Sequence, residues 1–310
     1  MLNIKTWAAV AGLAALVVGS SGCGTFSNAV AASTKLSTTT AHHHVTPSKK
    51  KPARPIKKKS HGVKPVSLAP LTQPTPQKPL KVLVIGDSLA EDLQYGLMDV
   101  AGSHSSLKII PAAYGSSGLI NTAFYNWPKM LALDLKRYHP QLVYMMLGAN
   151  DSYSFYQNGR AVVFGTPYWR QVYGGRANGL IAQAQRAGAH VIWVGEPIMS
   201  WNSVLSNPKM QTMNALFSFE TKRHPAIATF IPTWKLFQNA QGSFTEYMTD
   251  SAGLRVMVRD PDGVHIAPPA GDELLASYLL YRTEQLEKVS LCVTGSDLWT
   301  QYPLHACPAP

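Results

Sequence analysis

Lys81-Val82-Leu83-Val84-Ile85-Gly86-Asp87-Ser88-Leu89-Ala90 decides the fold. Its first half is a short, unbroken apolar run, the pattern of a strand buried on both faces of a parallel sheet. Its second half opens a helical period over roughly Ala90–Ala101. Working outward, similar apolar runs recur at Leu107–Ala113, Leu142–Leu147, His190–Val194 and Ile227–Ile231. Between them lie helix-period stretches over roughly Trp127–Tyr138, Tyr168–Ala187 and Pro208–Lys222, and a last one follows at about Gly271–Glu287. Strands alternating with helices predict an α/β fold, a parallel sheet between two helical layers. His139-Pro140 and His224-Pro225 each read as a helix stop before a strand. The proline cannot continue the helix, and the imidazole suits its negative end. No internal repeat is visible.

In an open parallel sheet, ligands bind outside the carboxyl ends of the strands. Ser88 follows the first strand, Gly118 lies on the loop after the second, and Gly148-Ala149-Asn150-Asp151 follows the third. Glu196 ends the fourth. These segments are expected at one edge of the sheet. A serine hydroxyl is a poor nucleophile until a base takes its proton. The base expected here is His265, with Asp262, three residues earlier, accepting from the other ring nitrogen and holding the tautomer. Asp260 is the rival orienter. The backbone N–H groups of Ser88 and Gly118 and the side-chain amide of Asn150 are the expected oxyanion donors.

The ordered set Gly86-Asp87-Ser88-Leu89, Gly118, Gly148-x-Asn150-Asp151 and Asp262-x-x-His265 resembles the four blocks of the SGNH (GDSL-type) hydrolase superfamily. The resemblance covers about residues 81–288. It implies a flavodoxin-like three-layer α/β/α sandwich with a five-stranded parallel sheet, and acyl chemistry without a cofactor. The stretches Phe124-Tyr125-Asn126-Trp127-Pro128 and Phe164-Gly165-Thr166-Pro167-Tyr168-Trp169 look like a bacterial cell-envelope branch. The Gly-x-Ser-x-Gly elbow of α/β-hydrolases, a phosphate-cradling loop and a metal-ligand cluster are all missing from the sequence pattern.

With 310 residues, 45% of them apolar, the chain has enough material for a sizeable core. Its net charge of +11 is uneven. Residues 1–80 hold eleven Lys or Arg and no Asp or Glu, and the remainder balances seventeen against seventeen. The N-terminus reads as an export signal, with Lys5 ahead of an apolar Trp7–Gly19 stretch too short to span a bilayer. Gly22-Cys23 resembles a lipobox whose Cys is acylated, although Ser20 stands where that motif has Leu. Cleavage after Ala29-Val30-Ala31 is the alternative. Residues 24–80 are rich in Ser, Thr, Pro and Lys and are expected to form a disordered linker. Lys49-Lys50-Lys51 and Lys57-Lys58-Lys59 either attach to an anionic envelope polymer or membrane surface or serve as a soluble tether. Nucleic acid is not an expected partner of an exported chain.

Setting Cys23 aside leaves Cys292 and Cys307, in an extension over 289–310. They are expected to form a disulfide contributing roughly 3 kcal/mol, with two free thiols as the alternative. The segment Ser152–Gly165 is expected to be a lid or rim. Asp151, Tyr153, Trp169 and Glu196 are the residues that would touch substrate. Three of them have a competing role: Asp151 as a loop brace, Trp169 with Tyr173 as a buried helix stripe, and Glu196 as a solvated strand end, which is the expectation. Trp127 reads as core.

The resulting expectation is an exported serine esterase of the bacterial envelope, on its periplasmic or extracellular face, lipid-anchored at Cys23. It would remove a small acyl group, acetyl foremost, from carbohydrate. The alternatives are an O-acetyltransferase using the same acyl-enzyme and a non-catalytic glycan-binding lipoprotein.

Overall fold

The computed structural model describes residues 68–295 and 298–308. The signal, Cys23 and both lysine clusters lie outside them. Five strands form one sheet: β1 (Leu80–Gly86), β2 (Leu107–Pro111), β3 (Leu142–Met146), β4 (His190–Val194) and β5 (Ala228–Ile231). All neighbours pair in parallel, in the order β2-β1-β3-β4-β5. The helices α1 (Ser88–Ala101), α2 (Trp127–Tyr138), α3 (Pro167–Arg186), α4 (Asn207–Lys222) and α5 (Ala270–Glu287) fall within two residues of the stretches read from periodicity.

Strands β1, β3 and β4 are buried along nearly their whole lengths, which is why they read as continuous apolar runs rather than alternating ones. Helix α1 packs on α5, while α2, α3 and α4 pack in succession. Right-handed crossovers on the two sides of the β1/β3 reversal put these sets on opposite faces. Starts are set by local chemistry. The Asn126 and Thr166 side chains accept from the backbone N–H groups of Lys129 and Trp169, and a proline occupies the first turn of α2, α3 and α4. At the end of α2, His139 adopts a left-handed conformation ahead of Pro140.

The linker ends earlier than its expected boundary at residue 80. Leu71 packs against the core, Pro74 is buried, and the Gln73 amide exchanges two hydrogen bonds with the Ser290 backbone. Proline-rich composition hid this, because the segment is held by contacts from distant parts of the chain. Cys292 and Cys307 are disulfide-bonded. The extension they close pairs with Ser106 at the entry to β2 and inserts Trp299, whose Nε1 donates to Ala270 O at 2.8 Å. Replacing both cysteines with serine is expected to lower the free energy of urea unfolding by about 3 kcal/mol. An unchanged midpoint would show that the loop contributes nothing to the global transition.

Candidate active site

The end of β1 sets the position of Ser88. Gly86 holds φ at 148°, and a Cβ there would collide with Met146 O on β3, so the chain can turn this close to its neighbour only as glycine. Asp87 then caps α1, its Oδ1 accepting from Leu89 N–H at 3.2 Å, while its Oδ2 accepts from Gly148 N–H at 3.2 Å. One fully buried carboxylate thus ties the loop after β1 to the loop after β3. Burial pushes its pKa up to about 7 against the pull of those two N–H groups, with the Asp151 charge adding to the rise. Ser88 follows as the first residue of α1, where the backbone N–H has no intrahelical partner.

The imidazole expected to serve Ser88 arrives from the other end of the chain. His265 Nε2 lies 2.9 Å from Ser88 Oγ, and Nδ1 lies 2.6 Å from Asp262 Oδ2. The second Asp262 oxygen accepts from the backbone N–H groups of Val264 and His265 at 2.8 and 3.0 Å. Burial alone would pull the imidazole pKa down. The Asp262 hydrogen bond and the charges of Asp262, Asp92 and Asp260 outweigh it, so the ring titrates above its ordinary 6.5. Asp262 shows the reverse balance: partial burial raises it, and its three hydrogen bonds bring it below the usual carboxylate value. An imidazole so held has an acceptor nitrogen facing the serine once Nδ1 keeps its proton toward Asp262.

Two residues that sequence reasoning missed hold this loop. Arg259 is fully buried and donates to the carbonyls of Ile198, Val264 and His265 at 2.6, 2.7 and 3.1 Å. Desolvation pushes its pKa down to about 10. Asp92, one turn after Ser88 on α1, accepts from Ile266 N–H at 3.0 Å and clips the loop to the helix. The i, i+4 spacing of Ser88 and Asp92 was the available signal for Asp92. Nothing in the sequence marks Arg259 as buried.

A cleft of about 500 Å³ opens over these groups, lined by Ser88, Glu91, Gly115, Ser116, Asn150 and His265 among others. Glu91, also missed, accepts from Gly115 N–H at 2.8 Å and fixes the loop after β2. The Asn150 amide lines the cleft and donates one hydrogen to Ser117 O at 3.0 Å; its second hydrogen remains available. Gly118 lies behind the lining, buried, with the Asp151 carboxylate against its Cα where a side chain would collide. Its N–H forms no hydrogen bond among the described residues.

Residues 81–282 match the family described as "Protein of unknown function (DUF459)". The chain belongs to the DUF459 family. No curated protein sequence matches the chain. Among solved structures it is similar to TesA at 17% identity, over 66% of this chain and 99% of that one, with a TM-score of 0.43. A GDSL-like lipase from Bacteroides thetaiotaomicron VPI-5482 is 15% identical over 70% and 92%, with a TM-score of 0.46. An acetylxylan esterase from Geobacillus stearothermophilus is 15% identical over 64% and 92%, with a TM-score of 0.43. Likenesses this distant say nothing of what this DUF459 protein acts on.

Several expected substrate contacts of the DUF459 protein are corrected. Asp151 is buried and braces the loop after β2, accepting from the N–H groups of Leu119 and Ile120 and from the Tyr173 hydroxyl. Trp169 is buried, stacked on Tyr173 inside the α3 stripe. Glu196 is neither solvated nor in the cleft. It is fully buried, and burial, with the Asp87 charge adding to it, outweighs the pull of the Ala149 N–H and drives its pKa well above the ordinary value. Tyr153 is exposed but does not line the cleft. The segment expected to be a lid forms a hairpin, Phe155–Gln157 against Arg160–Val162. Arg176 pins it through Gln157 and through its position over the Phe155 ring. The exposed wall of the cleft comes instead from Val204 and Leu205.

In the DUF459 protein, the His265 Cε1–H resonance is expected to titrate with a midpoint above 6.5. Asp262→Asn should move that midpoint down, because the contacts that favour the imidazolium are removed. An unmoved midpoint would assign the balance to Asp92 and Asp260 instead. Arg259→Met is expected to lower unfolding free energy by at least about 2 kcal/mol, since three carbonyl groups lose buried donors. A loss within measurement error in urea titration would exclude a structural role for the guanidinium.

Proposed function

We propose that this protein is an exported serine esterase of the bacterial cell envelope that removes a small acyl group, acetyl foremost, from envelope carbohydrate. The observation that carries the reading is the unbroken relay from Ser88 Oγ to His265 Nε2 at 2.9 Å and from His265 Nδ1 to Asp262 at 2.6 Å. Ser88 Oγ attacks the ester carbonyl carbon and its proton passes to His265 Nε2. The N–H group of Ser88 and the free amide hydrogen of Asn150, both at the cleft, receive the oxyanion. Collapse breaks the bond to the sugar oxygen, which leaves with the proton from His265, and an acyl-serine remains. Water then attacks, again losing its proton to His265, and the carboxylic acid departs as Ser88 is reprotonated.

A cleft of about 500 Å³ lies toward the small end of ligand pockets, which favours a short acyl group. Export and anchoring at Cys23, and contact of the lysine clusters with an anionic surface, rest on the sequence pattern alone. A sugar hydroxyl in place of that water turns the same acyl-enzyme into an O-acetyltransferase. A non-catalytic glycan binder has no use for an Asp-held imidazole on a serine, which sets that alternative aside.

The full chain is expected to hydrolyse 4-nitrophenyl acetate, with Ser88→Ala losing at least about 10³-fold in kcat/KM. A serine-directed phosphonate should label the peptide holding Ser88. Equal rates for the two proteins, with no labelling, would remove the enzymatic reading.

A further inference from the structure

Beside the cleft lies a second cavity, of about 580 Å³, within the range of pockets that hold small ligands. Its walls are the segment Ile198–Trp201 on one side and Gly242–Tyr247 with Arg255 on the other. The wall shared with the cleft is the 198–207 segment, which presents Trp201 to the second cavity and Val204 and Leu205 to the first. That segment is bonded to the loop carrying the base. Ser200 N–H donates to Gly263 O at 2.9 Å, and Gly263 sits between Asp262 and Val264. The two cavities therefore share a wall, and that wall is bonded to the loop carrying His265.

Trp201 is 94% exposed. A single exposed apolar side chain is ordinary, but this one is neither single nor on a loose coil. Phe244 and Tyr247 line the same cavity, and Val204 is equally bare across the rim. The turn is braced from within. Asn207 accepts from Met199 N–H at 2.8 Å and donates to Met199 O at 2.9 Å, and Ser203 Oγ donates to Leu205 O at 2.6 Å. A stiff turn that holds an indole in water presents a flat, electron-rich face. Such a face attracts the positively polarised C–H groups on one side of a pyranose ring. Polar edges surround it at Ser243 and Glu246, and Glu246 forms no ion pair among the described residues. Arg255 lies over the Tyr247 ring at 4.1 Å, so the lining holds one formal positive charge and one formal negative charge. Apolar faces with hydroxyl-bonding edges and no net charge match an uncharged sugar.

We infer that this cavity is a glycan subsite, in which Trp201 stacks on a neutral pyranose residue of the chain whose ester reaches Ser88. The inference rests on the esterase reading for its purpose, but its test does not. In the Ser88→Ala background, full chain is titrated by calorimetry with neutral β-1,4-linked tetrasaccharides of N-acetylglucosamine, xylose and mannose. At least one is expected to bind and to shift the tryptophan fluorescence. Adding Trp201→Ala should weaken that binding at least tenfold, and Trp201→Phe should recover part of it. The exposure of Trp201 leaves the fold unaffected, which an unchanged urea midpoint verifies. Binding by none of the three sugars, or binding unaltered by Trp201→Ala, overturns the subsite. Failure to hydrolyse 4-nitrophenyl acetate alongside Trp201-dependent binding overturns the esterase reading and leaves the subsite standing.

Discussion

A charge buried without an ion-pair partner among the described residues holds the site together. Arg259 sits in the core between the rings of Phe237 and Phe244, each 5.0 Å from its Cζ, and its donors are spent on backbone carbonyls of two loops. Carbonyl dipoles and ring faces replace the water that a guanidinium loses on burial. The arrangement joins the 198–199 segment to the 264–265 segment, and so seats the loop that carries His265. The mirror image lies across the cleft, where the buried Asp87 carboxylate is shared by the N–H groups of Leu89 and Gly148.

Environment sorts the carboxylates of this region. Asp87, Asp151 and Glu196 lie buried beneath the loops, and desolvation raises each of them. Asp262 is exposed and held ionised by three hydrogen bonds. The difference has a chemical consequence. A negative charge under the floor would oppose an oxyanion forming above it, and a negative charge beside the imidazole favours the imidazolium that forms with it. Burial discourages the first and exposure preserves the second.

Much of this was legible before any coordinates. Continuous apolar runs at 82–85 and 142–146 announced strands covered on both faces, and helix-period stretches between such runs announced the helices. Such signals are local, so they survive in a bare sequence. Roles that depend on what a side chain meets did not survive. Trp169 and Trp201 are the same residue type in polar neighbourhoods, yet one is stacked in the core and the other stands in solvent. Glu196 looked like a solvated strand end because its burial comes from elements far along the chain.

Period and punctuation along the chain determined the five parallel strands, their flanking helices and the edge of the sheet at which four short segments would gather. Tertiary structure alone decided which of the gathered groups touch. His265 and Ser88 are 177 positions apart, and their contact follows from the buried guanidinium and the Asp92 clip that seat one loop upon another. Hydrogen bonds across such separations obey no repeat in the sequence. They exist because packing brought donor and acceptor together and burial made leaving either one unpaired costly.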